Sequence, residues 1–401
     1  MMSPGGDASA EIAIPQQVVA ILERLEQAGY ETWCVGGAIR DALVGDPHQD
    51  VDLATAAPPD VVRNLFRRTV AVGTEHGTVG VLDESGTLHE VTTFRRDVET
   101  DGRHAVVEFG VSLDDDLARR DFTINAIAYQ PLRHEWRDPF GGRVDLAAGI
   151  VRAVGDPATR FREDRLRILR ALRFAARFGF VIDPATWHAA KAQAADTGHL
   201  SAERVRDEWV KGIKSAISLD ALVQRWVDSG VAAIWLPECR PPGPGRTAAA
   251  LPIVPGERDP VRATAVYCAP TAVVWRRLKG SNAEIHRAEA IDRGPARPVS
   301  SAPRDVRHWM ADVGAAVDDL KALAVWRGED DGWPRVINQI RESRQATTRA
   351  ELAVTGSDLL AAGIPAGPEV GRTLDRLLSI VLDDPESNTR TALLALAREG
   401  R

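Results

Sequence analysis

The chain has 401 residues, 44% of them hydrophobic and 27% charged, and a formal net charge of −7. This length is typical of two or three domains, and the composition excludes disorder along the whole chain. No apolar run reaches the ~18 residues of a membrane span, and we find no secretory leader. The three cysteines, Cys34, Cys239 and Cys268, predict neither a disulfide framework nor a zinc site. The sequence therefore predicts a cytoplasmic protein that does not enter a membrane.

The elements predicted in the first third of the chain alternate between helices and strands. Apolar spacing predicts a helix from Pro15 to Gly29. A buried strand at 32–35, a short helix at 38–43 and strands at 51–53, 78–82 and 89–94 follow. We expect residues 1–14 to be a flexible tail and residues 15–150 to form a mixed α/β domain.

Beyond about residue 155 the apolar spacing is helical, which predicts helical segments over 151–235 and 261–401. Leu374, Leu377, Leu378 and Val381 form one apolar stripe near the end of the chain. Residues 236–260 contain seven prolines and are predicted to be a linker.

Two carboxylates, Asp50 and Asp52, lie two positions apart on a predicted strand, so both side chains should project from one face. Carboxylates this close repel each other unless a cation lies between them, and Mg²⁺ is the cation that phosphoryl transfer commonly uses. Glu90, on another predicted strand, could add a third carboxylate. The alternatives are a solvated surface pair and an edge-strand glutamate.

Fourteen and thirteen residues before Asp50, Gly36 and Gly37 lie at a predicted strand-to-helix junction. Glycines there let backbone N–H groups approach a phosphate closely at a helix N-terminus. Arg40, in the first turn of that helix, could add a charged hydrogen bond. The alternative is a tight turn followed by a surface arginine.

Residues 160–177 contain seven arginines and two acidic residues, a local net charge of +5. We predict one helix there, on which Asp164 and Arg167 are neighbours three positions apart. Arg170, Arg173 and Arg177 should form a basic stripe along it. The alternative is a solvated charged face with internal ion pairs.

Several motifs in a fixed order resemble the bacterial-type (class II) tRNA nucleotidyltransferase and poly(A) polymerase family. They are CVGGAIRDALVGDPHQDVDLAT at 34–55, VGTEHGTVGV at 72–81, ARRDFTINAIAY at 118–129, DPFGGRVDL at 138–146, REDRLRILRALRFAARFGF at 162–180, and the tail runs TGSDLLAAGIPAGPEVG at 355–371 and DDPESNTRTALL at 383–394. The resemblance implies an α+β fold: a polymerase-β-like nucleotidyltransferase head with a mixed sheet, then an all-helical neck, body and tail.

The same resemblance implies a reaction and its residues. Members add C, C and A to the 3′ end of tRNA from CTP and ATP, without a template, and release pyrophosphate. Asp50 and Asp52 match the metal-binding aspartates, where two Mg²⁺ ions are expected, and Glu90 is added as a third catalytic carboxylate from its strand position alone. The positions that match nucleotide contacts are Gly36, Gly37, Arg40, Arg120, Asp164, Arg167, Arg170 and Arg173. The expected partners are the tRNA acceptor end and the two nucleotides, with no protein partner implied.

The Asp164–Arg167 pair would present an acceptor beside donors, which complements the edges of cytosine and adenine. Uracil and guanine present the opposite polarity, so their polar groups would stay unmatched. Two other functions stay open. One is a poly(A) polymerase or an enzyme that adds only A, and the other is an RNA-binding protein without catalytic activity. The intact Asp50–Asp52 pair argues against the loss of catalysis. The run RRDVETDGRHAVVEF at 95–109 resembles the flexible loop of family members that can add A.

Two further expectations concern the rest of the chain. None of the nine histidines precedes an aspartate, so the His-Asp phosphohydrolase domain of some family members is predicted to be absent. Trp275, within the basic run WRRLK at 275–279, is predicted to pack in a helical core rather than to contact RNA.

Overall fold

A computed structural model describes residues 12–46, 50–72, 77–100, 105–241, 258–329 and 331–399. The chain divides into two compact units, Met1–Pro237 and Glu238–Arg401. The first unit contains all the strands found among the described residues, and the second is helical. The α+β class, with a mixed-sheet head followed by helices, is thereby confirmed.

The first unit is built on a seven-stranded sheet with strand order β3-β4-β5-β2-β1-β8-β9. The described part of this unit has eleven strands: β1 Thr32–Val35, β2 Asp52–Thr55, β3 Thr69–Ala71, β4 Thr78–Leu82, β5 Leu88–Thr93, β6 Arg95–Thr100, β7 Ala105–Phe109, β8 Ala128–Gln130, β9 Glu135–Arg137, β10 Ile150–Val151 and β11 Val181–Ile182. Strands β6 and β7 form a separate two-stranded sheet, and so do β10 and β11. The pair β2–β5 is parallel, whereas the other neighbours in the seven-stranded sheet are antiparallel. The predicted strands at 32–35 and 78–82 are confirmed.

Eleven α-helices occur in the described part of the first unit. They are α1 Gln16–Gln27, α2 Gly37–Leu43, α3 Pro59–Leu65, α4 Leu113–Ala118, α5 Gly142–Ala148, α6 Pro157–Glu163, α7 Leu166–Phe178, α8 Pro184–Ala192, α9 Ala202–Ser215, α10 Leu219–Ser229 and α11 Val231–Trp235. The helix predicted from apolar spacing after Pro15 is α1, which buries Val18, Ile21, Leu22 and Leu25. Its core cluster includes Leu53 and Val91, so α1 covers the sheet face opposite to Asp52.

Two predictions for the neck are wrong. The helix expected over 160–177 is broken, because α6 ends at Glu163 and Asp164 adopts an extended conformation with φ −147°. The chain then resumes a helix at Leu166, with Arg165 as its N-cap residue. The neck is also not all helical, since β10 and β11 pair in parallel. Two-residue strands are too short to give an alternating apolar pattern.

The described part of the second unit contains nine α-helices. They are α12 Pro260–Tyr267, α13 Thr271–Arg277, α14 Asn282–Arg293, α15 Pro303–Val313, α16 Val317–Arg327, α17 Trp333–Glu342, α18 Gly356–Ala361, α19 Pro368–Asp383 and α20 Arg390–Glu399. The predicted apolar stripe lies on α19, where Leu377 and Val381 are fully buried. Trp275 is fully buried in α13, and its neighbours Arg276 and Arg277 pair with glutamates. The core role predicted for Trp275 is therefore confirmed.

Cys239 and Cys268 form a disulfide within the second unit. The sequence predicted no disulfide framework, and the structure corrects this to one buried bridge between residues 29 positions apart. An isolated antiparallel bridge between the two residues brings them together, a contact that spacing does not reveal. Across the described part of the chain, no helix has the length and apolarity needed to cross a lipid bilayer.

Candidate active site

The carboxylates predicted to act together lie at the beginning of β2 and on β5. Asp52 is the first residue of β2, whereas Asp50 precedes the strand, so the prediction that both lie on a strand is wrong for Asp50. Leu53 is paired with Val91 in parallel register, which makes Asp52 and Glu90 neighbours on the same face. A one-residue step in this register would move Glu90 to the other face.

Negative charge is crowded around Asp52. Burial, together with the charges of Glu90 and Asp50, raises the pKa of Asp52 to about 6, although Arg120 opposes the shift. A cation beside Asp52 would relieve this repulsion, and carboxylate oxygens are ligands that Mg²⁺ prefers. The donor set therefore fits a magnesium ion. Among the described residues, no three acidic, histidine or cysteine side chains are grouped so that they could hold a metal ion, and the catalytic role of Glu90 stays a prediction.

Gly36 joins the carboxylates to the helix that follows β1. Its backbone has φ +85° and caps α2, a conformation that favours glycine. A Cβ atom on Gly36 would lie 3.2 Å from Oδ2 of Asp52 and 3.3 Å from Nη1 of Arg120. Gly36, Asp52 and Arg120 are thus packed against one another. The side chains of Asp52 and Arg120 can lie this close to the backbone of residue 36 because glycine has no side chain.

Arg120 follows α4 and is held in place from two sides. Its guanidinium donates to Asp116 at 3.2 Å and to the backbone carbonyl of Asn125 at 3.3 Å. Its Nε–H is buried and has no hydrogen-bond partner among the described residues. Arg120 therefore places a positive charge beside Asp52 and keeps one donor without a partner, and its role as a nucleotide contact stays a prediction.

Arg40 is buried, so the alternative of a surface arginine is wrong. Only 3% of it is exposed, and its Nε donates to Asp41 at 2.9 Å while its Nη1 donates to Asn125. The guanidinium carbon lies 4.9 Å from the ring centre of Phe174 and 5.0 Å from that of Phe178. Its Nη2 nevertheless lies 3.3 Å from the position of a Cβ on Gly37, at the beginning of α2. Arg40 thus supports this turn from inside.

Asp121 links the head to α7, and the sequence did not single it out. It accepts hydrogen bonds from Nδ2 of Asn125 at 2.8 Å, from Nε of Arg170 at 2.6 Å and from the backbone N–H of Phe122 at 2.9 Å. Burial alone would raise the pKa of Asp121, but Arg170 and these donors outweigh it and hold the pKa below its usual value. Because Asn125 also binds Arg40, one hydrogen-bond network joins Arg40 of α2 to Arg170 of α7.

Arg170 and Arg173 lie in ion pairs rather than on an open basic stripe. Arg173 donates to Glu208 of α9 at 2.6 Å, and only 9% of it is exposed. Both arginines lie over the ring of Phe174, at 5.4 Å and 4.2 Å. Sequence reasoning missed Glu208 and Asp121 because partners distant in the chain carry no local signal.

Asp164 and Arg167 lie at the break between α6 and α7. Arg167 donates to Glu163 at 2.6 Å and to the backbone carbonyl of Arg119 at 3.0 Å. Arg119 directly precedes Arg120, whose side chain lies beside Asp52. Arg167 therefore binds the backbone next to Arg120. Asp164 accepts from the backbone N–H of Leu166 at 3.0 Å, and its other oxygen is bound by a donor on α9. The structure thus links Arg167 to the backbone beside Arg120, while the described contacts of Asp164 are with Leu166 and α9.

Two other features lie outside this group. The segment predicted to be a flexible loop forms a hairpin of β6 and β7, while residues 101–104 within it lie outside the described residues. A cleft of about 950 Å³ is lined by Arg24, Phe66 and Val81 among others. Val81 is paired with His89 rather than Glu90, so this cleft lies on the face away from the carboxylates.

Three family models match parts of this chain. Residues 32–152 match the poly(A) polymerase head domain, and residues 179–241 match the RNA- and SrmB-binding site of polymerase A. Residues 300–397 match tRNA nucleotidyltransferase domain 2.

Full-length relatives give a consistent picture. CCA-adding enzymes of Geobacillus stearothermophilus and Streptococcus mutans are each 34% identical, with 96% of this chain and 96% and 97% of theirs covered. The crystal structure of the Bacillus stearothermophilus CCA-adding enzyme in complex with CTP superposes with a TM-score of 0.74 at 32% identity, covering 96% of this chain and 97% of that one. The Thermotoga maritima CCA-adding enzyme complexed with tRNA, at 21% identity, 98% and 97% coverage and a TM-score of 0.69, shares the fold.

Proposed function

This chain belongs to the CCA-adding tRNA nucleotidyltransferases, and we propose that it adds C, C and A to the tRNA 3′ end from CTP and ATP, releasing pyrophosphate. One observation carries the proposal. Gly36, Arg120 and the carboxylates of Asp52 and Glu90 meet at one place, and Arg167 binds the backbone next to Arg120. A nucleotide there would have its triphosphate beside glycine and arginine and its base towards α7. The Bacillus stearothermophilus relative was solved in complex with CTP, which supports a nucleotide as substrate.

We infer that Asp50 and Asp52 hold two Mg²⁺ ions, with Glu90 beside them. When bound, such ions lower the pKa of a 3′-hydroxyl and neutralise the charge of the pyrophosphate leaving group. The crowding of negative charge around Asp52 supports this assignment, because it is the arrangement that a divalent cation stabilises. The protein's own part is to keep Asp52 and Glu90 on one face of the sheet, with Asp50 two residues before Asp52.

The triphosphate is held at the turn between β1 and α2. Gly36 lets Asp52 and Arg120 approach the backbone of this turn closely, and the buried Nε–H of Arg120 lacks a partner among the described residues. Arg40 is buried on the inner side of this turn, and it stabilises the turn that presents the backbone N–H of Gly37. Arg170 and Arg173 hold α7 in place through ion pairs. We therefore assign them to the orientation of α7, the reading helix that carries Arg167, rather than to nucleotide contact.

Asp164 and Arg167 select the base. Each oxygen of Asp164 already accepts one hydrogen bond, and a carboxylate oxygen can accept a second. The amino group of cytosine or adenine can therefore donate to it, whereas uracil and guanine place a carbonyl there. The second substrate is the tRNA acceptor end, and a cytoplasmic location stays a prediction from the sequence.

The deciding experiment is product length on a tRNA transcript that lacks its 3′ CCA. With CTP and ATP supplied, we expect growth by three nucleotides and then arrest, read on a sequencing gel. A transcript that already ends in CC should gain one A. Long A tails would show a poly(A) polymerase instead, and addition of A only to the CC transcript would show an A-only enzyme.

A further inference from the structure

The carboxylate that we assign to base selection is held by a residue on another helix. Nη2 of Arg204, on α9, donates to Oδ2 of Asp164 at 2.8 Å. The other oxygen of Asp164 accepts from the backbone N–H of Leu166 at 3.0 Å. The two donors approach different oxygens, so together they fix the rotation of the carboxylate. Neither side chain is deeply buried, with 24% of Asp164 and 31% of Arg204 exposed.

The helix that carries Arg204 is itself anchored one turn further on. Glu208, four residues along α9, accepts from Nε of Arg173 on α7 at 2.6 Å, and both of these side chains are about nine-tenths buried. Residues four apart lie on the same helix face. The buried pair therefore fixes the face of α9 on which Arg204 lies, so that its guanidinium reaches Asp164 from a rigid support.

Asp164 needs this support because of its backbone setting. It lies at the break between α6 and α7, outside both helices. Its Oδ1 accepts from the backbone N–H of Leu166, the first residue of α7. Without a second donor, Oδ2 could turn towards water. A carboxylate that must accept one amino group and reject a carbonyl has to be oriented before the base arrives.

We propose that Arg204 is a positioning residue for nucleotide selection, which acts by fixing the carboxylate of Asp164; the proposal rests on the base-reading role of Asp164 given above. Arg204 lies on α9, whereas Asp52 and Glu90 lie on β2 and β5, so its described contact with the site is through Asp164. Its loss should therefore weaken binding and selection of the base more than the chemical step.

The test is single-nucleotide incorporation by full-length protein with each of the four triphosphates. In Arg204→Ala we expect the KM values for CTP and ATP to rise about tenfold and the preference for CTP over UTP to fall about tenfold, because a charged hydrogen bond is lost. The kcat for CTP should stay within about twofold. Arg204→Lys should recover part of the preference, since it keeps the charge but loses the planar fork.

Controls separate this role from a general effect on folding or RNA binding. Arg206→Ala removes a basic side chain from the same helix and should leave the nucleotide preference unchanged, because Arg206 pairs with Asp207. If Arg204→Ala changed the KM for tRNA alone, or slowed all four nucleotides equally, the positioning role would be wrong.

A double variant shows whether Arg204 acts through Asp164. In an Asp164→Ala background, adding Arg204→Ala should reduce the nucleotide preference no further. Additive losses would overturn the proposal. If Asp164→Ala alone kept the preference, the base-reading role itself would fail, and the Arg204 proposal with it. If Asp164→Ala lost the preference and Arg204→Ala kept it, only the Arg204 proposal would fail.

Discussion

Nε of Arg170 on α7 donates to Oδ2 of Asp121 at 2.6 Å, and this ion pair fastens the reading helix to the segment that carries Arg120. Asp121 is buried, whereas about a third of the Arg170 side chain is exposed. Breaking a buried pair by removing one partner is costly because the other charge is left without compensation. The pair is therefore a stability element as well as a link between the two halves of the site.

We predict that Asp121→Asn lowers the free energy of unfolding by about 3 kcal/mol at neutral pH. The fold holds the pKa of Asp121 below its usual value, so the wild-type contribution is complete above about pH 4 and declines as the pH falls towards the lowered folded-state pKa. The difference between variant and wild type should shrink over that acid range. Urea unfolding measured at several pH values tests this.

The matched control is Asp114→Asn, which removes an exposed carboxylate that accepts from Nε of Arg137 at 2.7 Å. An exposed pair contributes at most about 1 kcal/mol. Equal effects of the two substitutions would show that burial of Asp121 is unimportant.

Gly36→Ala should reduce nucleotide transfer at least tenfold. The new Cβ would lie 3.2 Å from Oδ2 of Asp52, so the carboxylate or Arg120 has to move, and a displacement near the reacting atoms is costly. Gly29→Ala is the control, because Gly29 has φ +88° but nothing within 4 Å of its Cβ position. Both substitutions should cost about 1–3 kcal/mol of stability through backbone strain. Similar activity losses in the two variants, measured as incorporation rates, would contradict this prediction.

Asp52→Asn should abolish transfer without destabilising the protein. Asn keeps the volume but removes one of three crowded negative charges, so the melting temperature should stay equal or rise. Adding Mg²⁺ should raise the melting temperature of the wild type but have a smaller effect on the variant. Thermal unfolding with and without Mg²⁺, together with a transfer assay, measures all three effects. Near-normal turnover in Asp52→Asn would exclude it as a metal ligand.

The sequence predicted best what depends on local pattern. Gly36 and the strands at 32–35 and 78–82 were recognisable because turn residues and alternating apolar residues act within a few positions. The neighbourhood of Asp52 and Glu90 was expected as well, but it is set by the parallel register of β2 with β5, which no single segment encodes.

The partners of the arginines could not be predicted in the same way. Arg173 pairs with Glu208, 35 positions away, and Arg170 pairs with Asp121, 49 positions away. A basic run looks the same whether its charges face water or buried carboxylates. The break at Asp164 was also missed, because a charged run with regular apolar spacing gives no stop signal.

Asp164→Ala removes the acceptor for the amino group of cytosine or adenine, and it also removes the cap on the N–H of Leu166. The first loss should weaken the use of CTP and ATP and narrow the gap to UTP and GTP by roughly ten- to a hundredfold, the value of a charged hydrogen bond. The second should cost about 1 kcal/mol of stability. Asp156→Ala isolates that second loss, because Asp156 caps α6 through the N–H of Thr159 at 2.9 Å and is exposed.

Asp164→Asn separates the two roles within one residue. Its carbonyl oxygen can still accept from Leu166, so that hydrogen bond should be kept, while its amide N–H₂ turns a donor towards the base and loses the hydrogen bond from Arg204. The preference for CTP over UTP should therefore stay low or reverse, because the carbonyl of uracil now finds a donor. Incorporation rates with the four triphosphates, measured beside melting temperatures, give the answer. Equal slowing of all four nucleotides in both variants would make Asp164 a structural residue and place base selection elsewhere.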